Sequence, residues 1–193
     1  MQYPHQFIAE HEIPRAAAPI FQHLVDIYAS ESNKVASLWS EVRPEQMEFR
    51  PHPLSSSIRQ IMAHQILSER RFFAEFIGLE EHPVESLLPP GDTAPPQRYV
   101  EKLISHCRPR LNALANADQL FWLTEVPFFD VRRQRIWVFW RRVLHTAHHR
   151  AQVGDSLRLL ESRVPATYGP TADVTWTGAD PTTTLDAARR GQP

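Results

Sequence analysis

Apolar residues recur at steps of three and four from Ile20 onward, which is the period of one face of an α-helix. Pro14 suits a first helical turn and Pro44 ends the pattern, so we place helix 1 at about 15–42. Glu31 stands on this apolar stripe where another apolar residue is due. The stripe therefore predicts a long amphipathic helix with one acidic interruption.

A second helix follows a proline-rich connection, which is expected to be extended because proline disfavours the α conformation of the residue before it. Ser57 and Gln60 stand at the spacing of a capping box, and Gly78 suits the position that follows a helix end. These signals predict helix 2 over about 57–77. His64 lies in the middle of this helix.

Two further helices complete the pattern. Helix 3 is expected to begin near Pro96, and Pro109 within it predicts a kink or a break. The segment 126–134 is interpreted as a loop with a short extended piece. Helix 4, at about 132–163, is apolar on most sides over its first half, which predicts burial on most sides.

Four long helices and no convincing strand predict an all-α fold, an antiparallel four-helix bundle with long connections. We assign residues 1–163 to the bundle domain and 164–193 to an irregular C-terminal tail. The tail shows no sustained period. It is either disordered or wrapped over the bundle with Tyr168 and Trp176 as anchors.

Composition narrows the functional classes. Of 193 residues, 42% are apolar, which suffices for a core, and the net charge of −1 favours neither nucleic acid nor an anionic membrane as a partner. A single cysteine, Cys107, excludes internal disulfides and is expected to be buried. No apolar stretch is long enough to span a membrane, and we expect a soluble cytoplasmic protein. A basic cluster on helix 4 is expected to be a solvated or interface surface: Arg132, Arg133, Arg135, Arg141 and Arg142.

The histidines of helix 4 carry the clearest chemical signal. His145 and His149 are four residues apart and so lie on one helix face, where two imidazoles can bind one divalent ion. His148 is turned by about 100° from His149, and we do not expect it to bind the same ion. His64 is the obvious third ligand. Three neutral imidazoles would leave a coordination position open for water or substrate.

The alternative is that these histidines have no metal to bind. An isolated mid-helix histidine is more often a core or surface residue, and two histidines at this spacing without a glutamate between them are a weak motif.

Two segments together resemble the DinB-like family. Phe49-Arg50-Pro51 followed by the run from Ser57 to His64 resembles the entry to its second helix. The run from His145 to Gln152 resembles its H-x-x-x-H-R-G-Q signature, with Ala151 in place of the usual glycine. The resemblance extends over most of residues 15–163.

This resemblance implies a four-helix bundle that is often dimeric and that holds a divalent metal with three histidines. By motif match the ligands are His64, His145 and His149. Zinc is the first expectation, followed by nickel or iron. Some members transfer low-molecular-weight thiols, so a thiol S-transferase or a metal-dependent hydrolase is the leading hypothesis. The alternative is a non-catalytic metal-binding or stress-related structural protein.

Several nearby residues have two interpretations. Glu31 is either a hydrogen-bond partner of a metal-binding histidine or a general base near the metal. The alternative, which we favour, is that helix 1 reaches the surface at this residue. Gln152 and Arg150 either orient ligand at the rim or, as we favour for Arg150, form packing and salt-bridge contacts. Trp137 and Trp140 exceed what one bundle needs to bury, which predicts a homodimer.

Overall fold

Helices dominate the structure, a computed structural model that describes residues 7–169 and 171–173. Its α-helices are α1 Gln22–Ser40, α2 Ile58–Arg71, α3 Pro96–Ala115, α4 Gln119–Leu123 and α5 Arg135–Leu159. Its strands are β1 Glu125–Phe128 and β2 Val131–Gln134, which form one antiparallel hairpin.

The four long helices pack in a closed ring. Helix α1 contacts α3 and α5, and α2 contacts the same two helices from the opposite side. The space between them is filled by large side chains with no more than 1% exposure, including Trp39, Met62, Phe73 and Phe139. The predicted all-α four-helix bundle is confirmed.

Helix α2 begins where its sequence signals predict, and the π-helical turn that continues it ends at Ile77, the predicted end. The Ser57 hydroxyl accepts a hydrogen bond from the Gln60 backbone N–H at 3.3 Å, and the Gln60 side chain returns to the Ser57 N–H at 3.1 Å. Gly78 follows the helical segment with φ 80°, a conformation that glycine adopts without strain. The sequence did not indicate that the last turn, Phe72–Ile77, is a π-helix.

Two predictions about α1 and α3 are corrected. Helix α1 begins at Gln22, after a 3₁₀ turn at Pro19–Phe21, and not near residue 15. The reason is Pro19, which holds Ala18 in an extended conformation at φ −108° and ψ 104°. Helix α3 continues through Pro109 to Ala115, so the alternative of a break was wrong.

The expectation of no convincing strand is also corrected, because the segment interpreted as a loop with a short extended piece forms two paired strands. Residues 131–134 pair with 125–128 in register from Glu125–Gln134 to Phe128–Val131, and α5 therefore begins at Arg135 and not at 132. The short helix α4 before this hairpin was missed. Asp118 caps it by accepting from the Phe121 N–H at 2.7 Å, but five residues are too few to show a helical period.

Helix α5 is less buried than predicted. Val138 and Phe139 lie in the core, whereas Trp137, Trp140 and Leu144 are 44%, 38% and 64% exposed. The two tryptophans are nevertheless partly covered, because the Trp137 ring centroid lies 5.5 Å from that of Phe128 and the Trp140 ring centroid lies 6.3 Å from that of His23. The helix ends at Leu159, short of the predicted 163.

The described part of the C-terminal tail contacts the bundle. The Tyr168 hydroxyl donates to Glu31 Oε1 at 2.7 Å, as expected of an anchor, whereas Trp176 lies outside the described residues. The division at residue 163 stays a prediction. Within the described ranges, no helix has the length and apolar character needed to cross a membrane.

Candidate metal centre

Three imidazoles converge where α2 and α5 pack against each other. His64 comes from α2, and His145 and His149 come from successive turns of α5. The Nε2 atom of His145 lies 3.4 Å from Nε2 of His64 and 3.2 Å from Nε2 of His149. The structure thus brings together the three residues that the sequence singled out as ligands.

The spacing of these nitrogens fits a single metal ion. Nitrogens that each lie about 2.0–2.1 Å from one ion at tetrahedral angles are about 3.3–3.4 Å apart. The two Nε2–Nε2 distances fall at or just below this value, and one ligand atom from each histidine lies within 4.8 Å of the other two. The arrangement therefore fits the donor set expected for a zinc-type ion.

Burial also keeps the three rings neutral, as metal ligation requires. It lowers the pKa of His145 to about 3, and the neighbouring Arg142 guanidinium and the other two imidazoles act in the same direction. Burial likewise lowers the pKa values of His64 and His149. At neutral pH the three rings are therefore uncharged, and each has one nitrogen that bears a lone pair.

Gln152 orients His149. Its Oε1 atom lies 2.7 Å from His149 Nδ1, and an amide oxygen can only accept a hydrogen bond. The ring proton of His149 is therefore on Nδ1, and the Nε2 lone pair faces the other two histidines. Metal-binding histidines typically donate from their second nitrogen in this way. Gln152 thus contacts one ring of the cluster directly, and its role at the site stays a prediction.

Arg142 forms a hydrogen bond with His145 that the sequence did not predict. Its Nη1 lies 2.8 Å from His145 Nδ1, and because arginine has only donors, Nδ1 accepts and the neutral ring carries its proton on Nε2. Ligation by Nε2 of a neutral ring would require the proton on Nδ1 instead, so the contact with Arg142 would have to open if a metal were bound. Arg142 is 6% exposed and its Nε lies 4.0 Å from Glu69 Oε1, so the predicted solvated position for this arginine was wrong.

His148 is separate from the cluster, as predicted. It is exposed, and its Nε2 lies 3.3 Å from the Gln152 amide nitrogen. The group of potential ligands in the described part of the chain contains only the other three histidines.

Glu31 has a different environment from either interpretation. It is 2% exposed, so the surface position was wrong, and its partners are Arg150, Lys34 and Tyr168. No hydrogen bond joins it to the three histidines among the described residues. Arg150 is 4% exposed and pairs with Glu31, which confirms its structural role. Burial of Cys107 is confirmed at 0% exposure and raises its pKa to about 12.

The architecture and the matched segment establish the relationship to known proteins. A family model described as the DinB superfamily matches residues 28–153, about two thirds of the chain, including all three histidines. The chain belongs to the DinB superfamily. No curated protein matches it.

Two DinB-like crystal structures from bacilli have the same fold. One, from Bacillus cereus ATCC 10987, has a TM-score of 0.63 and 14% identity, covering 74% of this chain and 94% of its own. The other, from Bacillus subtilis, has a TM-score of 0.58 and 14% identity, covering 75% of this chain and 97% of its own. At this identity the likeness supports the DinB fold alone.

Proposed function

We propose that this DinB superfamily member is an enzyme that depends on one divalent metal ion, bound through His64, His145 and His149. The observation that carries the proposal is the convergence of three Nε2 atoms, with His145 Nε2 at 3.4 and 3.2 Å from the other two. Zinc is the first candidate for these imidazole ligands, followed by nickel or iron.

The protein's own residues prepare this site in three ways. Gln152 holds the ring of His149 so that its lone pair faces inward. Arg142, buried beside His145, supplies a fixed positive charge that favours an anionic ligand at the centre. His64 is exposed, so small molecules reach the cluster from solvent. A bound ion would act as a Lewis acid that lowers the pKa of a thiol or a water molecule.

Transfer of a low-molecular-weight thiol to an electrophile is the reaction we propose. In a substitution, the thiol sulfur forms a bond to an electrophilic carbon, the bond from that carbon to a leaving group breaks, the leaving group departs with the electron pair, and the thiol proton passes to solvent. In an addition, a π bond or strained ring bond of the electrophile breaks instead, and the atom that receives the electron pair takes up a proton. The cytoplasm is the proposed location, because thiols are kept reduced there. A hydrolase, in which water is the nucleophile, is the second candidate on the same centre.

The competing function is a metal site without catalysis. Structural zinc sites have four protein ligands, whereas catalytic sites have three and keep one position open. Among the described residues, no fourth histidine, cysteine, aspartate or glutamate joins the group. This open donor set favours the enzyme over the structural protein.

Metal analysis tests the proposal. Purified protein is stripped with a chelator and reloaded separately with zinc, nickel and iron, and we expect one ion per chain by elemental analysis. The loaded forms are then screened with thiol and electrophile pairs, with His149→Ala as the matched metal-deficient control. Absence of stoichiometric binding for every metal would overturn the metal proposal. Stoichiometric binding without any thiol-dependent or hydrolytic turnover would favour the structural role.

We also propose that the protein is a homodimer. Trp137 and Trp140, 44% and 38% exposed, lie on the outer face of α5 near Leu144, which is 64% exposed. Contiguous apolar surface on one helix face is typical of an interface. Sedimentation at micromolar concentration should show a dimer, and Trp137→Glu should shift it to monomer. A monomeric wild-type protein would contradict the assembly.

A further inference from the structure

A cleft of about 300 Å³ opens beside the histidine cluster, between the C-terminal end of α2, the hairpin and α5. His64 and His145 form part of its wall. Four aromatic rings line the rest: Phe72, Phe76, Phe128 and Phe129. The size lies at the lower end of sites that enclose small organic ligands.

The arginine side chains that line the cleft make it positively charged. Three arginines line it, Arg71, Arg141 and Arg142, and its described lining includes no aspartate or glutamate, although Glu75 pairs with Arg71 from outside the lining. The protein as a whole has a net charge of −1, so this concentration of positive charge is local. A cleft of aromatic rings with cationic groups complements an organic anion.

Of these three arginines, Arg71 and Arg141 have donors available for a ligand. Arg142 uses its terminal nitrogens within the protein, on Ser68 Oγ at 2.7 Å and on the Gln65 carbonyl at 3.0 Å. Arg71 donates through Nε to Glu75 at 2.8 Å, which occupies one side of its guanidinium. Arg141 is exposed and forms no ion pair or hydrogen bond with the described part of the chain.

The aromatic wall is shaped by an irregularity in the helix. Phe72 and Phe76 belong to the π-helical turn Phe72–Ile77, where one wider turn interrupts the regular spacing of side chains. Such turns occur frequently at functional sites. The Phe76 ring contacts Phe128 and Phe129 of the hairpin, with centroids 4.7 and 5.2 Å apart.

Phe129 holds an unfavourable backbone conformation at the mouth of the cleft. It lies in the two-residue hairpin turn with φ 53°, a conformation that suits glycine or asparagine and is rare for a bulky side chain. Its side chain is 68% exposed, so core packing does not explain the phenylalanine. The Arg71 guanidinium carbon lies 5.7 Å from its ring centroid. A function at the cleft accounts for an aromatic residue at this position.

We propose that the cleft binds a small organic anion with a flat aromatic or apolar body. The body lies against Phe76 and Phe129, and the anionic group binds Arg71 and Arg141. Its place beside His64 and His145 makes this ligand the second substrate, the electrophile, a step that rests on the proposed function. Binding of the anion itself needs only the cleft.

Isothermal titration with 2-naphthoate tests the site on full-length protein that has been stripped of metal with a chelator. We expect one naphthoate per chain, and at least about tenfold weaker binding of the neutral isostere 2-naphthamide, because a charge-assisted hydrogen bond is lost. Arg141→Gln should weaken naphthoate binding about five- to tenfold. Arg15→Gln, which removes an exposed arginine that does not line the cleft, is the matched control and should leave binding unchanged.

Phe129→Gly separates ligand binding from folding. It removes the ring but relaxes the backbone, so the melting temperature should be unchanged or higher while naphthoate binding falls. A fall in binding with no loss of melting temperature supports the proposal. Unchanged binding excludes Phe129 from the ligand site and overturns it as stated.

The remaining outcomes are also decisive. No binding of naphthoate, equal binding of naphthoate and naphthamide, or equal losses in Arg141→Gln and Arg15→Gln would each overturn the anion site. Because the titration uses stripped protein, naphthoate binding together with failed metal loading would overturn only the proposed function. Normal metal loading without naphthoate binding would overturn only the anion site.

Discussion

Two polar clusters lie a few residues apart on α5 and differ in how their hydrogen-bonding capacity is used. At the histidine cluster, three neutral rings face one another and the nearest Nε2 atoms are 3.2 and 3.4 Å apart. The residue after His149, Arg150, pairs with Glu31, which also accepts from Lys34 at 3.0 Å and from Tyr168 at 2.7 Å.

The Glu31 cluster has its charges matched within the chain, whereas the histidine cluster does not have its hydrogen-bonding capacity filled. In the Glu31 cluster a buried carboxylate is matched by two buried cations, and although burial opposes it, these cations hold the pKa of Glu31 below its usual value. Its charges are satisfied within the chain. In the histidine cluster, His145 has one Nε2 proton and faces the Nε2 atoms of two other rings, so the described part of the chain does not supply a donor for each of them.

The largest expected effect is on the Glu31 cluster. Glu31→Ala leaves Arg150 and Lys34 buried without their carboxylate, which should lower the free energy of unfolding by about 3–5 kcal/mol. Denaturant titration of metal-free protein measures this loss. Metal stoichiometry of the folded fraction should stay at one ion per chain. If the variant instead lost metal and kept its stability, the assignment of the two clusters would be reversed.

The histidine cluster should show the opposite response. His145→Ala removes one of three ligands and should weaken metal binding by at least about a hundredfold, since loss of a second-shell partner alone typically costs 10–100-fold. Competition with a metal-sensitive dye measures the affinity. His148→Ala is the matched control on the same helix and should bind metal like the wild type. Equal weakening in both variants would contradict the assignment of ligands.

Substitution of Gln152 should have a smaller effect on metal affinity, because this side chain contacts the His149 ring and is not itself a proposed ligand. Gln152→Leu keeps the approximate volume but removes the acceptor for His149 Nδ1, which should weaken metal binding by about tenfold. Gln152→Glu keeps an acceptor and should retain or exceed wild-type affinity. The same dye competition reports both. Weakening in the glutamate variant as large as in the leucine variant would exclude a role for the hydrogen bond.

At neutral pH the smallest effect is that of His145 on the stability of the metal-free protein, because this group acts on stability only as the pH falls. The pKa of His145 falls from 6.5 to about 3 on folding, so below pH 6.5 the unfolded chain binds a proton that the folded chain does not. Stability from this group is therefore complete above pH 6.5 and is lost as pH falls toward about 3. His145→Gln should reduce the loss between these values, measured by denaturant titrations at several pH values. Identical pH profiles would show that the ring titrates normally.

Much of the fold follows from local sequence signals. The apolar period locates α1, α2, α3 and α5, and the Ser57 cap and Gly78 define the ends of the second helical segment because they act through contacts within one turn. The hairpin was missed because its stability depends on pairing between two four-residue strands, which leaves no helix-like period in either one.

For the candidate site, the sequence by itself determined the pairing of His145 and His149, because a helix places residues four apart on one face. His64 is 81 residues from His145, and only the packing of α2 against α5 decided that their nitrogens meet. Packing also decided that Glu31 is buried with two cations and that Arg142 contacts a histidine ring. The physical reason is that burial and partner choice belong to the whole bundle, whereas helical periodicity belongs to each segment alone.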